Sequence, residues 1–409
     1  MKLCSTTFRI LCHLFCLFGC AFQIFHITTL YFERHSVVDT SHRLPVIFKL
    51  PTISLCFETT LVFNDSAIYQ FDFSAKLAND IDRVNSNSSI DHSNKENAIY
   101  KLKKKFVDQS SAAELELVTK SFASLVDGCK ILSPKDDKYQ RYIECDELTT
   151  IEAHYQHIFK CFTMFMPRKE AKYNKTIYLD TTRATAEKLL TISTYFKNPI
   201  QIHLNSNDEF LVYDQHNFIL LDFTYYRFVQ VWYTKTTRRL LPHPYETNCK
   251  NFSSTGAYVS RQDCIWKCAI RLFQQENDIW PRQVPCPTNV TLRRDYKWGK
   301  NIVNIEKYCI TECENKDDCY RETFTIQDSQ RVLRETNSSS SSIELLVQKG
   351  LEKIFTLHPK LDIVEYYSYI ASTIGLWYGI SVIAFTHNKF VKKMHVKLDH
   401  IAEGIQQPI

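Results

Sequence analysis

Two stretches of this chain run without a charged side chain for longer than a soluble domain normally allows, and they lie at its opposite ends. From Ile10 to Phe32, 23 residues, the only side chains less apolar than threonine are His13, Gln23 and His26. At about 1.5 Å per residue such a helix is about 34 Å long, enough for the hydrocarbon core of a bilayer. The second run, Tyr366 to Phe385, reads YYSYIASTIGLWYGISVIAF, 20 residues with no charge. Lys389, Lys392, Lys393 and Lys397 follow it, and lysines beside a span mark its cytoplasmic side. If both runs cross, both termini are cytoplasmic and the 330 residues from Glu33 to Asp362 lie outside the cell or in the secretory lumen. The competing reading of the first run is a cleaved signal peptide, since Lys2 and Arg9 precede it and Gly19, Cys20 and Ala21 supply small residues. A signal core is about 7–15 residues, so a retained helix is the expectation.

The remaining composition agrees with that division. Over all 409 residues the formal charge is +5, too mild for a nucleic-acid binder. With 44% hydrophobic residues, a polytopic transporter buried mostly in lipid is excluded. Cys4, Cys12, Cys16 and Cys20 lie in or before the first run, which leaves 11 of the 15 cysteines in the outer segment, where oxidising conditions permit disulfides. Acceptor sequons at Asn64, Asn87, Asn174, Asn251, Asn289 and Asn337 all fall in the same segment, so each is a candidate glycosylation site.

Within the outer segment, Asn79 to Asn97 is mostly Asn, Asp and Ser and reads as a surface loop; Asn337 to Ser342 reads as a second. Phe218 to Tyr233 is strand-like and Arg261 to Asn277 is amphipathic, so a mixed α+β ectodomain is expected, with no internal repeat. Cys264 and Cys268 are spaced i, i+4; on a helix both thiols face one side and suit stapling to one neighbouring segment. Short C-x-x-C pairs with histidine partners are not present, so no metal site is expected. Neither G-x-S-x-G, H-E-x-x-H nor a phosphate-cradling glycine loop occurs, which argues against an ectoenzyme. No catalytic residue and no cofactor is expected.

Five segments, in order, resemble the degenerin/epithelial sodium channel superfamily, which includes the amiloride-sensitive and acid-sensing channels and the arthropod pickpocket-type channels. Tyr31-Phe32-x-x-x-x-Val37-x-x-Thr40 is similar to the aromatic exit of its first helix, and Leu50-Pro51-Thr52-Ile53-Ser54-Leu55-Cys56 to its F-P-A-V-T-I-C segment. Lys160-Cys161-Phe162-Thr163 resembles its K-C-Y-T-F strand. Arg239-Leu240-Leu241-Pro242-His243-Pro244-Tyr245, followed by Cys249, resembles its R-L-P-P-P-Y-x-x-C stretch, with Cys264 and Cys268 behind it. Gly375-Leu376-Trp377-Tyr378-Gly379-Ile380-Ser381 resembles the G-L-W-F-G-x-S core of its second pore helix.

The resemblance implies a fold and a site. It implies a short cytoplasmic N-terminus (1–9), a first transmembrane helix (10–32), one large disulfide-rich mixed α/β ectodomain of the acid-sensing-channel type (33–362), a pore-lining second transmembrane helix (363–385) and a cytoplasmic tail (386–409). The cysteines would pair as Cys56–Cys161, Cys129–Cys145, Cys249–Cys319, Cys264–Cys313 and Cys268–Cys309, leaving Cys286 odd: free, paired between chains, or a sign of a wrong assignment. One pair of helices cannot enclose a wet path in lipid, and the family forms homo- or hetero-trimers. Gly375, Gly379, Ile380 and Ser381 would then form the selectivity filter, with sodium as the permeant ion, since hard oxygen ligands suit it. Ser368 would stand at the gate, and Glu365 would either concentrate cations at the outer mouth or mark the water boundary of the helix. Tyr31 or Phe32 against Tyr245, with Pro244 constraining the loop, would couple ectodomain to pore.

Two departures qualify that expectation. The family's His-Gly motif before the first helix has no counterpart here, and His387 stands where a glutamate is usual, which weakens cation attraction at the inner mouth. The reading is a subunit of a sodium-selective, amiloride-sensitive-type cation channel in the plasma membrane, gated by an extracellular stimulus. The alternatives are a divergent non-conducting accessory subunit, a chain lacking its true beginning, or a single-pass receptor left by signal cleavage.

Overall fold

The computed structural model describes residues 2–43, 47–49, 51–132, 142–164, 176–178, 187–206, 218–223, 226–282, 284–295, 302–314, 316–333, 341–347 and 352–378. Along the chain, α1 (Lys2–Phe32) leads to β1 (Ser36–Arg43), β2 (Ile47–Lys49) and β3 (Thr52–Glu58), then to α2 (Asp65–Ile68), α3 (Ala75–Ser86), α4 (His92–Gln109), α5 (Ala112–Val118) and α6 (Phe122–Leu125). Next come β4 (Val126–Leu132), β5 (Tyr142–Glu144), α7 (Cys145–Leu148), β6 (Glu152–Gln156), β7 (Phe159–Met164), β8 (Thr176–Tyr178), β9 (Glu187–Thr194), β10 (Ile200–Asn205), β11 (Phe218–Leu221) and β12 (Tyr226–Arg239). The last third holds α8 (Arg261–Asn277), β13 (Ile279–Pro281), β14 (Cys286–Pro287), β15 (Arg293–Asp295), α9 (Ile302–Glu312), β16 (Tyr320–Leu333), β17 (Ser341–Val347), β18 (Glu352–Pro359) and α10 (Ile363–Tyr378). Two compact units divide the chain: Met1–Val38, His243–Asn248 and Leu357–Ile409 form one, and Asp39–Pro242 with Cys249–Thr356 the other. The expected ectodomain, 33–362, thus gives three short pieces to the unit that holds the two terminal helices.

The larger unit is built on two sheets. One has the order β11-β10-β3-β7-β6-β14 and is antiparallel throughout. The other runs β1-β18-β12-β17-β9-β4-β5, and β16 covers the remaining edge of β12. In strands, alternate side chains share a face, and here alternation builds the core: Ile53, Leu55 and Phe57, Ile200, Ile202 and Leu204, Val229, Val231 and Tyr233, and Ile343 and Leu345 all enter one buried cluster. The opposite parity of β3 and β10 is polar yet also buried, with Thr52, Ser54, Gln201, His203 and Asn205. Ser54 and Thr163 share a hydrogen bond of 2.7 Å there.

Helices α2 to α5 bring a second cluster, Phe63, Ile68, Leu77, Ala78, Ile81, Val107, Leu115 and Val118, against Tyr155, Trp280 and Cys286. This corrects the expectation of a loop over Asn79 to Asn97: most of that span is α3 and α4, joined by a turn at 87–91. Leu77, Ala78 and Ile81 fall on one helical face and are buried, and Asp91 caps α4 by accepting from the Asn94 N–H at 2.9 Å. A few well-spaced apolar residues and one cap outweigh a polar composition. The second expected loop is corrected in part, because Ser341 and Ser342 already belong to β17; Asn337, like Asn174, lies outside the described residues.

Among the described residues, five disulfides lock the unit. Cys56 and Cys161 stand directly opposite on β3 and β7 and are bonded, and Cys129–Cys145 ties β4 to the start of α7. Cys249–Cys319, Cys264–Cys313 and Cys268–Cys309 form a nested ladder: the inner two tie α8 to α9 and its C-terminal end, and the outer one joins the segments flanking the pair. These are the pairs the resemblance implies. Cys286 is a free, buried thiol, pushed up to about 12 by burial, with Arg294 opposing the shift.

Candidate membrane helix pair

The smaller unit contains α1, α10 and the loop 243–248. On α1, Leu11, Leu14, Phe15, Leu17, Phe18, Phe22 and Phe25 are all more than half exposed. Apolar surface of that extent is stable in hydrocarbon or beneath another chain rather than in water. His13–Phe32 is long and apolar enough to cross a membrane, the one such helix among the described residues. The described α10 has 16 residues, about 24 Å at 1.5 Å each, and presents Ile363, Val364, Tyr367, Tyr369 and Leu376 outward.

A seam joins the two helices. Phe15, Gly19 and Gln23 recur every four residues along one face of α1, and Trp377 of α10 meets all three. Its ring lies edge-on to Phe15 at 5.9 Å, and its Nε1–H donates to Gln23 Oε1 at 2.7 Å. A Cβ placed on Gly19 would lie 2.4–2.9 Å from three atoms of the indole, so only glycine lets the ring seat. Further along, Tyr366 stacks on Tyr31 with centroids 4.4 Å apart and shares a hydrogen bond of 3.2 Å with Thr28. Cys20 and Thr373 are buried.

Where α1 ends, Arg34 adopts a left-handed backbone, φ 53°, a conformation that terminates helices. Its guanidinium lies 4.1 Å from the centre of the Tyr31 ring. The Tyr31 hydroxyl, and after it that of Tyr245, hold Arg34 above its ordinary value. His35 stands between two carboxylates, Glu33 at 3.1 Å and Glu246 at 3.3 Å, and its carbonyl accepts from the Lys360 N–H. Arg34 thus lies against the Tyr31 ring, and Tyr31 and Phe32 pack edge to face. Pro244 is exposed and follows a cis peptide bond.

On α10, Glu365 accepts from the Asp362 N–H at 3.2 Å, and Asp362 accepts from the Glu365 N–H at 2.7 Å. This reciprocal cap gives Glu365 a structural role at the helix start. Ser368 is exposed and its hydroxyl donates to the Val364 carbonyl at 2.8 Å. Gly375 is half-buried on the helix; Gly379, Ile380, Ser381 and His387 lie outside the described residues. Of the described sequons, Asn87, Asn251 and Asn289 are exposed and Asn64 half-buried. Gly19, Gln23, Trp377, Tyr366, Arg34 and His35 were not singled out as a contact set from sequence. The one available signal was a glycine and an amide four residues apart inside an apolar run.

No protein-family model matches the chain, and no curated protein sequence is similar to it. Among solved structures, one titled as the cryo-EM structure of a proton-activated chloride channel aligns with 96% of this chain and 98% of its own, at 6% identity and a TM-score of 0.29. That score lies below what a shared fold requires.

Proposed function

We propose that this chain is a subunit of a trimeric, sodium-selective, amiloride-sensitive-type cation channel, gated by an extracellular stimulus and resident in the plasma membrane. The observation that supports it most is the set of five bridges: they join the ten cysteines that a degenerin/epithelial sodium channel ectodomain pairs, in the same nested order. The exposed apolar surface of α1 accounts for one span, and the seam with α10 for a second beside it. Three copies of α10 then enclose the ion path, because a polar pore in lipid needs a closed ring, and Gly379, Ile380 and Ser381 are the filter residues the resemblance implies. Arg34, which faces both Tyr31 and Tyr245, is the element through which movement of loop 243–248 reaches the helices. The exposed sequons at Asn87, Asn251 and Asn289 agree with a large unit on the outside.

The test is electrical. The full chain is expressed alone and with related subunits, and current is recorded while external sodium is replaced by a large organic cation. A current that falls on replacement supports the channel reading. Surface-expressed protein with no sodium-dependent current in any combination refutes it in favour of an accessory role.

A further inference from the structure

Away from the helix pair, the larger unit has a cavity of about 270 Å³ where the disulfide-clamped helices meet the long β12–β16 ribbon. Arg238, Arg261 and Arg321 line it together with Asp317, Asp318, Gln262, Leu240, Ile265 and Ile310. Arg238 and Arg321 stand directly opposite each other on β12 and β16. Like charges facing across a strand pair repel, so the ribbon bears a cost at this position that an anion between the two guanidiniums would remove. Arg261 is the first residue of α8, beyond the Ser260 cap, and the positive end of that 17-residue helix opens on the same space. The two aspartates offset this field only in part: Asp318 faces both Arg321 and Arg261 and accepts from the Arg261 N–H at 3.0 Å, Asp317 lies 3.9 Å from the Arg261 guanidinium, and three guanidiniums against two carboxylates leave one positive charge in excess.

The cavity is not wholly polar. Leu240 is buried, and Ile265 and Ile310 supply further apolar wall. Its frame is rigid, because Cys249–Cys319 and Cys264–Cys313 anchor residues beside Asp318 and Ile265. Guanidinium forks recognise planar carboxylates in two-point fashion. The geometry points to a binding site for a small organic carboxylate, its head between Arg238, Arg261 and Arg321 and a short apolar body against Leu240, Ile265 and Ile310. This inference is independent of the channel reading.

The test is saturation-transfer NMR on the full chain in lipid nanodiscs, with butyrate as probe at constant ionic strength and its neutral isostere butyramide as control. Saturable butyrate binding is expected, at least tenfold weaker in Arg261→Gln and in Arg321→Gln, with no binding of butyramide. Three results would overturn the assignment: no saturable binding of butyrate, equal binding of butyramide, or wild-type affinity retained in both arginine variants. The comparison of butyrate with butyramide needs no variant, so it holds even if an arginine substitution fails to fold.

Discussion

Lowering the pH from 7.5 to 5.0 should weaken the larger unit by about 4 kcal/mol through two histidines alone. His154 on β6 and His203 on β10 are both buried. Burial, with Arg294 adding to it, pushes His154 down to about 4; burial, with His154 adding to it, pushes His203 down to about 3. The neutral ring of His154 meets the Thr163 hydroxyl at 3.4 Å, and that of His203 meets Gln201 at 3.3 Å and stacks on Phe218. In the unfolded chain both rings return to about 6.5. Between 6.5 and the folded values the unfolded state binds more protons, so stability is full above 6.5 and is lost as the pH falls toward 4 and 3. At pH 5.0 each ring is neutral when folded and almost fully protonated when unfolded, a penalty of about 2 kcal/mol per histidine. The sum is a large share of the roughly 5–15 kcal/mol that holds a domain together. Guanidinium unfolding of the full chain in detergent micelles, at both pH values, reads it. A His154→Gln/His203→Gln variant should lose about 4 kcal/mol less than the wild type over that interval, the other titrating groups being common to both. Parallel losses in the two proteins would refute the reasoning.

Gly19→Leu should disrupt the seam with Trp377 at about 1–3 kcal/mol, the usual cost of overpacking a fitted contact, read as a lowered denaturant midpoint of the full chain in detergent micelles; an unchanged midpoint would count against the fit. Removing the Cys268–Cys309 bridge, which the enclosing Cys264–Cys313 bridge reduces to the closure of a loop of about ten residues, should cost about 3 kcal/mol by loop entropy, read as a lowered denaturant midpoint. Lys160 is fully buried and pairs with Glu116 at 2.9 Å, Thr119 and the Lys120 carbonyl. Glu116→Gln leaves that ammonium without its counter-charge and should cost about 3 kcal/mol, while pairing it with Lys160→Met should restore part of the loss in the same unfolding assay.

How far the sequence could be read depended on whether a feature is local. Arg261 to Asn277 announced its helix because its period is helical throughout, and the i, i+4 spacing of Cys264 and Cys268 indicated one neighbouring partner, found in α9. The start of α10 at Ile363 was legible from the change in polarity after Asp362. Helices α3 and α4 were not, since Leu77, Ala78, Ile81 and Val107 are thinly spread among Asn, Asp and Ser. Strand order could not be read at all: β12 pairs with β16 and β17 across about a hundred residues, and nothing in one strand names its partner. The seam is the same problem in a helix pair, because Gln23 and Trp377 are 354 residues apart and only folding brings them together. Tyr31 was legible as part of a motif, but the guanidinium of Arg34 over its ring was not, because Arg34 folds back through a left-handed backbone angle after the helix end.

The central claim, that α10 lines a cation path, is tested most directly at Ser368, exposed one turn after Val364 on that helix. Cells carrying Ser368→Trp, with surface expression verified, are held at negative voltage while external sodium is exchanged for a large organic cation. The account predicts a standing inward current that collapses on exchange and is blocked by amiloride. Surface-expressed Ser368→Trp protein that carries no sodium-dependent current, alone or with related subunits, would contradict it.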